Sequence, residues 1–147
     1  MLIKGSVDML RSRYEIIASD INFQLDLRSN LVLIDGYSGV GKTMLFKQIR
    51  KDSIVNPQKN IVCFNYENAT GNNINLLQSL KGLTAKLVFI DNAEIILSDA
   101  CKEYISIDTK NQYIIFTHTT KGFYPQRNSL AILRVKNGKG TLFYDMT

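Results

Sequence analysis

Residues 31–50 constrain this chain more than any other stretch. Leu31-Val32-Leu33-Ile34-Asp35 is a short apolar run that suits a buried strand. Gly36-Tyr37-Ser38-Gly39-Val40-Gly41-Lys42-Thr43 follows, and then Met44 to Arg50, with Met44, Leu45, Phe46 and Ile49 at helical spacing. Strand, glycine-rich turn and helix in this order match the phosphate-binding pattern G-x-x-x-x-G-K-[ST]. Glycine at 36, 39 and 41 lets the backbone turn tightly and approach an anion without Cβ interference. Successive amides then form a nest for phosphate oxygens, and the positive end of a helix starting near Lys42 adds to the attraction. The residues expected to line such a site are Gly36, Tyr37, Ser38, Gly39, Val40, Gly41, Lys42, Thr43 and Met44. Lys42 would reach the β- and γ-phosphates, and the Thr43 hydroxyl would ligate Mg²⁺.

A second stretch, Lys86-Leu-Val-Phe-Ile-Asp91-Asn-Ala-Glu94, has four apolar residues followed by an aspartate. A continuous apolar run suits a central parallel strand covered on both faces. Asp91 at its carboxyl end would hold the metal, directly or through water. The bland alternative is a strand that happens to end in Asp.

The 147 residues suit one domain, 1–147, with enough apolar sequence for a real core (45% hydrophobic, 21% charged). No run approaches the ~20 apolar residues of a membrane span, and the opening Met-Leu-Ile-Lys-Gly-Ser-Val-Asp is unlike a signal peptide. Cys63 and Cys101 lie in apolar surroundings and read as reduced buried thiols rather than a disulfide. The expectation is a cytoplasmic protein away from any membrane. The net charge of +5 allows nucleic acid as a partner, but the basic residues are scattered apart from Lys47, Arg50 and Lys51, so that partner is not favoured.

Taken in order, residues 2–10 alternate as a strand does, Tyr14–Ala18 is a second apolar stretch, and Ile21 to Leu27 alternates clearly. The first 28 residues read as two or three antiparallel strands feeding strand 31–35, with a helix at 7–18 as the competing reading. The helix after the glycine turn should end near Asp52, ahead of Asn56-Pro57. A strand at 61–66, a turn-rich segment 68–73 and a helix 73–81 stopped by Gly82 come next. A helical region 93–107, a strand 111–117 and a loop 121–128 follow. Residues 130–136 and 141–145, joined by Asn137-Gly138-Lys139-Gly140, form a hairpin.

These motifs together resemble the P-loop NTPase superfamily over residues 30–120. Residues 36–43 match its Walker A motif and Asp91 its Walker B aspartate. The resemblance is greatest to the branch with an extra strand between those two, which includes AAA-type, RecA-like and ABC ATPases. It implies an α/β three-layer sandwich with a mainly parallel sheet, strands 31–35 and 86–91 flanking strand 113–117, and strand 61–66 at one edge. Nucleotide would sit at the carboxyl ends of the strands. Thr117 and His118 match the position of a polar sensor of the γ-phosphate.

Departures from the pattern are specific. Asn92 stands where AAA-type and ABC ATPases put a catalytic Glu. Glu94 is the next carboxylate, and it either orients the attacking water or caps the following helix. A Leu-Ser-Gly-Gly-Gln signature is missing, and too few residues follow Thr120 for an AAA lid. Thr120-Lys121-Gly122-Phe123 and Thr109-Lys110-Asn111-Gln112 start like the guanine-reading [NT]-K-x-D and lack its Asp, so ATP is expected rather than GTP.

The leading expectation is an Mg²⁺-dependent ATPase that couples nucleotide state to a protein partner or to another copy of itself. Lys42, Glu94, Thr117 and His118 would be catalytic, and Thr43 and Asp91 would hold the metal. An ATP-dependent switch with little hydrolysis and a small-molecule kinase are the alternatives. Arg127 reads either as an arginine finger toward a neighbouring subunit or as an exposed loop residue.

Overall fold

In the computed structural model, residues 11–35, 41–70 and 75–144 are described. The expected strand at 2–10, the loop residues Gly36, Tyr37, Ser38, Gly39 and Val40, and the first residues of the expected helix 73–81 lie outside them. The strands are β1 (Arg13–Ala18), β2 (Ile21–Asp26), β3 (Leu31–Asp35), β4 (Ile61–Phe64), β5 (Leu87–Ile90), β6 (Gln112–Phe116), β7 (Leu130–Lys136) and β8 (Lys139–Tyr144). The helices are α1 (Lys42–Val55), α2 (Tyr66–Thr70), α3 (Leu76–Lys81), α4 (Ala93–Ile96) and α5 (Asp99–Ile107).

All eight strands form one mixed sheet in the order β1-β2-β8-β7-β3-β6-β5-β4. β6 lies between β3 and β5, with β4 at the edge, all parallel, the order that the resemblance implies. The β1–β2 and β7–β8 pairs are antiparallel. The terminal hairpin turns at Asn137-Gly138, both at positive φ (53° and 74°), the conformation that two-residue turns require.

The antiparallel β1–β2 pair leads into β3 along the chain but not within the sheet: the β7–β8 hairpin separates β2 from β3, with β8 parallel to β2 and β7 parallel to β3. The strand expected at 61–66 stops at Phe64, and residues 68–70 of the expected turn-rich segment 68–73 belong to helix α2. Asn65 and Asn68 cap that helix reciprocally, each side-chain oxygen accepting from the other's backbone N–H at 2.7 and 3.0 Å. Asparagine can do this as the usual Ser/Glu pair does. The region 93–107 is two helices, because Ser98 caps α5 by accepting from the Cys101 N–H at 3.1 Å.

Apolar side chains of the parallel strands alternate between two faces. Val32, Ile34, Phe89, Ile114 and Phe116 pack with Leu45, Phe46 and Ile49 of α1. Leu33, Val88, Ile90, Tyr113 and Ile115 pack with Leu80 of α3, Ala93 of α4, and Cys101 and Ile105 of α5. The sheet curls, so that the far strand β1 returns toward β5 and β6. The Tyr14 ring packs tilted against Phe89, with centroids 5.2 Å apart, and the Arg11 backbone exchanges two hydrogen bonds with the Gln112 side chain. α1 fills the space between the edge strands β1 and β4. Both cysteines are free, Cys101 buried and Cys63 half-buried. Among the described residues, no helix is long and apolar enough to cross a membrane.

Candidate functional site

The carboxyl ends of β3, β5 and β6 meet the start of α1, and a cleft of about 620 Å³ opens there. Its walls are Gly41, Lys42, Thr43, Met44, Asp91, Asn92, Glu94, Ile95 and His118. Three separated stretches of sequence therefore converge, as strand order dictates: parallel neighbours deliver their carboxyl ends to one side of the sheet.

Gly41 precedes α1 at φ +92°, a left-handed conformation that suits glycine. Its carbonyl accepts the first helical bond, from the Leu45 N–H at 2.8 Å. Helix α1 thus begins at Lys42, and its amino end points at the cleft. Thr43 is exposed there, while Met44 turns toward the core.

Asp91 is half-buried just beyond β5. One carboxylate oxygen accepts from the Asn92 N–H at 2.9 Å. Burial pushes its pKa above the usual carboxylate value, with Glu94 adding to the rise and the Asn92 amide and Lys42 opposing it. Asn92 adopts a left-handed conformation (φ 56°), and its side-chain oxygen accepts from the Tyr66 N–H at 3.2 Å, the first residue of α2. It thereby ties the β5 end to α2.

Glu94 sits in the first turn of α4 and reaches across to the end of β6. Its Oε2 accepts from the His118 N–H at 2.6 Å and from the Thr117 hydroxyl at 3.1 Å. Partial burial alone would raise its pKa; these bonds outweigh that and hold it below the ordinary value, so the group is a carboxylate at neutral pH. Thr117 is buried and reaches the cleft only through Glu94. His118 is exposed and bridges the cleft floor. Nδ1 lies 3.0 Å from Asp35 Oδ1, and Nε2 lies 3.4 Å from Lys42 Nζ.

The structure thus brings Lys42, Thr43, Asp91, Glu94 and His118 together, with Thr117 behind them. Arg127 is elsewhere. It lines a separate cavity with Arg28, Ser29 and Asp108, at the amino end of β3. Asp35 is the site residue that motif reading passes over, although an acid ending the strand just before the glycine turn was its visible signal. Among the described residues, no group of three or more His, Cys, Asp and Glu is placed to hold a metal ion.

No protein-family model matches the chain, and no curated protein matches it either.

Proposed function

We propose that the chain is an Mg²⁺-dependent ATP-binding protein of the P-loop type that hydrolyses ATP and couples its nucleotide state to a protein partner or a second copy of itself. One observation carries the reading: Lys42, Thr43, Asp91 and Glu94, chosen from sequence for complementary chemistry, line a single cleft. The three-layer α/β sandwich belongs to the same proposal, and core packing on both faces of the parallel strands supports it.

Each residue has a physical task. The motif of residues 36–43 would cradle phosphate through backbone amides, and the amino end of α1 adds its dipole. Lys42 neutralises charge that spreads over the transferring phosphoryl oxygens. Thr43 and Asp91 fit a hard divalent cation, because both offer oxygen and Mg²⁺ keeps few protein ligands beside phosphate and water. Bound there, Mg²⁺ would supply charge neutralisation between the β- and γ-phosphates. Glu94, ionised and anchored through Oε2, accepts a proton from the attacking water. His118 stands beside Lys42, where a γ-phosphate would be felt.

A second reading, an ATP-dependent switch with little turnover, is favoured by Asn92. That side chain serves α2 and carries no proton-accepting carboxylate. Phosphate release by wild type, Lys42→Ala and Glu94→Gln separates the two. Release by wild type above both variants supports hydrolysis; equal background rates with ATP binding retained leave only the switch. ATP binding that survives Lys42→Ala undiminished would remove both. Coupling to a second copy predicts that affinity is weaker for a single chain and tightens on assembly. Calorimetric titration across protein concentrations checks this.

A further inference from the structure

We infer that Asp35 is a positioning residue: it holds the His118 ring so that Nε2 presents its lone pair to Lys42, and so sets where the Lys42 ammonium stands. The inference builds on the proposed phosphate site and adds to it a residue outside the motif.

Hydrogen-bond inventory fixes the direction of the chain. The Lys42 ammonium has three donors and no acceptor. His118 Nε2, 3.4 Å from Lys42 Nζ, must therefore be the acceptor. A neutral imidazole with an unprotonated Nε2 carries its proton on Nδ1. Nδ1 faces Asp35 Oδ1 at 3.0 Å, and a carboxylate accepts. One tautomer satisfies both contacts. The other would put Nε2–H against an ammonium and a bare Nδ1 against a carboxylate, and an imidazolium would have no lone pair for Lys42.

The backbone fixes the ring as well. The His118 N–H is tied to Glu94 at 2.6 Å, and Asp35 ends β3, the immediate neighbour of β6. The Asp35 and His118 side chains are more than half exposed (58% and 60%), so their pairing contributes little stability. Its effect is orientation. One Lys42 proton is committed to His118, which leaves two for phosphate oxygens.

His118 is the chain's single histidine, so its imidazole signals need no assignment. Long-range nitrogen–proton correlation spectra at mildly alkaline pH read the tautomer directly. The full chain is expected to show the Nδ1–H form, Asp35→Ala the Nε2–H form that free imidazole prefers, and Asp35→Asn the Nδ1–H form again, since an amide oxygen still accepts. Lys42→Ala should keep Nδ1–H, because Asp35 sets it. Nε2–H in wild type, or a tautomer unmoved by Asp35→Ala, overturns the inference. So does a tautomer that follows Lys42 instead.

For binding, Asp35→Asn and Asp35→Ala remove the same charge, so their difference reads hydrogen bonding at position 35 apart from charge. Mg²⁺·ATP should bind the Asn variant up to about tenfold more tightly than the Ala variant. Equal affinities would overturn the effect on Lys42. A wild type that has the Nδ1–H tautomer and binds no ATP would refute the nucleotide reading while supporting the Asp35–His118 contact.

Discussion

The Tyr14 hydroxyl donates to Asp52 Oδ2 at 2.6 Å, joining β1 to the last turn of α1. Both residues are buried, and Asp52 also accepts from Lys59 Nζ and from Asn56 Nδ2. This network closes the sheet around α1 and so steadies the helix whose first turn forms the candidate phosphate site. Tyr14→Phe keeps the ring on Phe89 and deletes one bond to a charged acceptor that retains other donors. The expected loss is about 1–2 kcal/mol in urea unfolding. A variant as stable as wild type would show that the bond contributes nothing.

Acid should undo the same network. Burial works to raise the Asp52 pKa, but the bonds from Tyr14, Lys59 and Asn56 outweigh it and leave the group below its ordinary 3.8. A carboxylate with a depressed folded-state pKa stabilises fully above the unfolded value and loses that stabilisation as pH falls through the folded one. Stability measured against pH should therefore drop below about pH 3.8 in wild type. Asp52→Asn, less stable at neutral pH, should show a shallower slope there. Parallel curves would assign acid unfolding to other groups.

Gly140 faces Phe23 across the β2–β8 pairing. A Cβ at that position would lie 2.3 Å from Phe23 Cδ1, and the ring is fully buried. Neither a strand backbone nor a core ring yields easily. Gly140→Ala should cost about 1–3 kcal/mol, read as a lower thermal midpoint. An unchanged midpoint would mean that the ring can move.

Thr117 tests whether Glu94 needs its anchor. Thr117→Val keeps the shape and removes the hydroxyl donor, leaving the His118 N–H as Glu94's remaining bond to β6. Phosphate release should fall about tenfold or less with ATP affinity retained, whereas Glu94→Gln should lower it about 10²-fold or more. On the proposed hydrolysis, a Thr117→Val variant as slow as Glu94→Gln would make the threonine a direct participant.

Much of the architecture was readable because its signals are local. Apolar runs at 31–35, 87–90 and 112–116 became central strands, and Asn137-Gly138 became the hairpin turn. The order β3-β6-β5-β4 came from the resemblance rather than from local pattern. The docking of β7 and β8 between β3 and β2 was not readable. Pairings such as Leu33 with Leu130 and Phe23 with Gly140 join residues far apart in sequence, and nothing local encodes them. Helix α2 is not legible because Asn65 and Tyr66 read as the end of a strand and Asn68 as the start of a turn, until the two asparagines are seen as mutual caps. At the site, Lys42, Thr43 and Asp91 stood out because motif spacing expresses their chemistry. Asp35 did not, and Asn92 was legible only as a missing Glu, since their partners, His118 and the Tyr66 amide, are brought close only by the fold.

The hairpin's place has a consequence for biosynthesis. Among the described residues, the β1–β2 pair and the β3-β6-β5-β4 group share no ladder of their own; residues 130–144 join them. A ribosome that has not yet released those residues holds two unjoined strand groups, each with an open edge. Completion of the sheet must therefore await synthesis of residues 130–144, and until then those edges are exposed to mispairing with other chains.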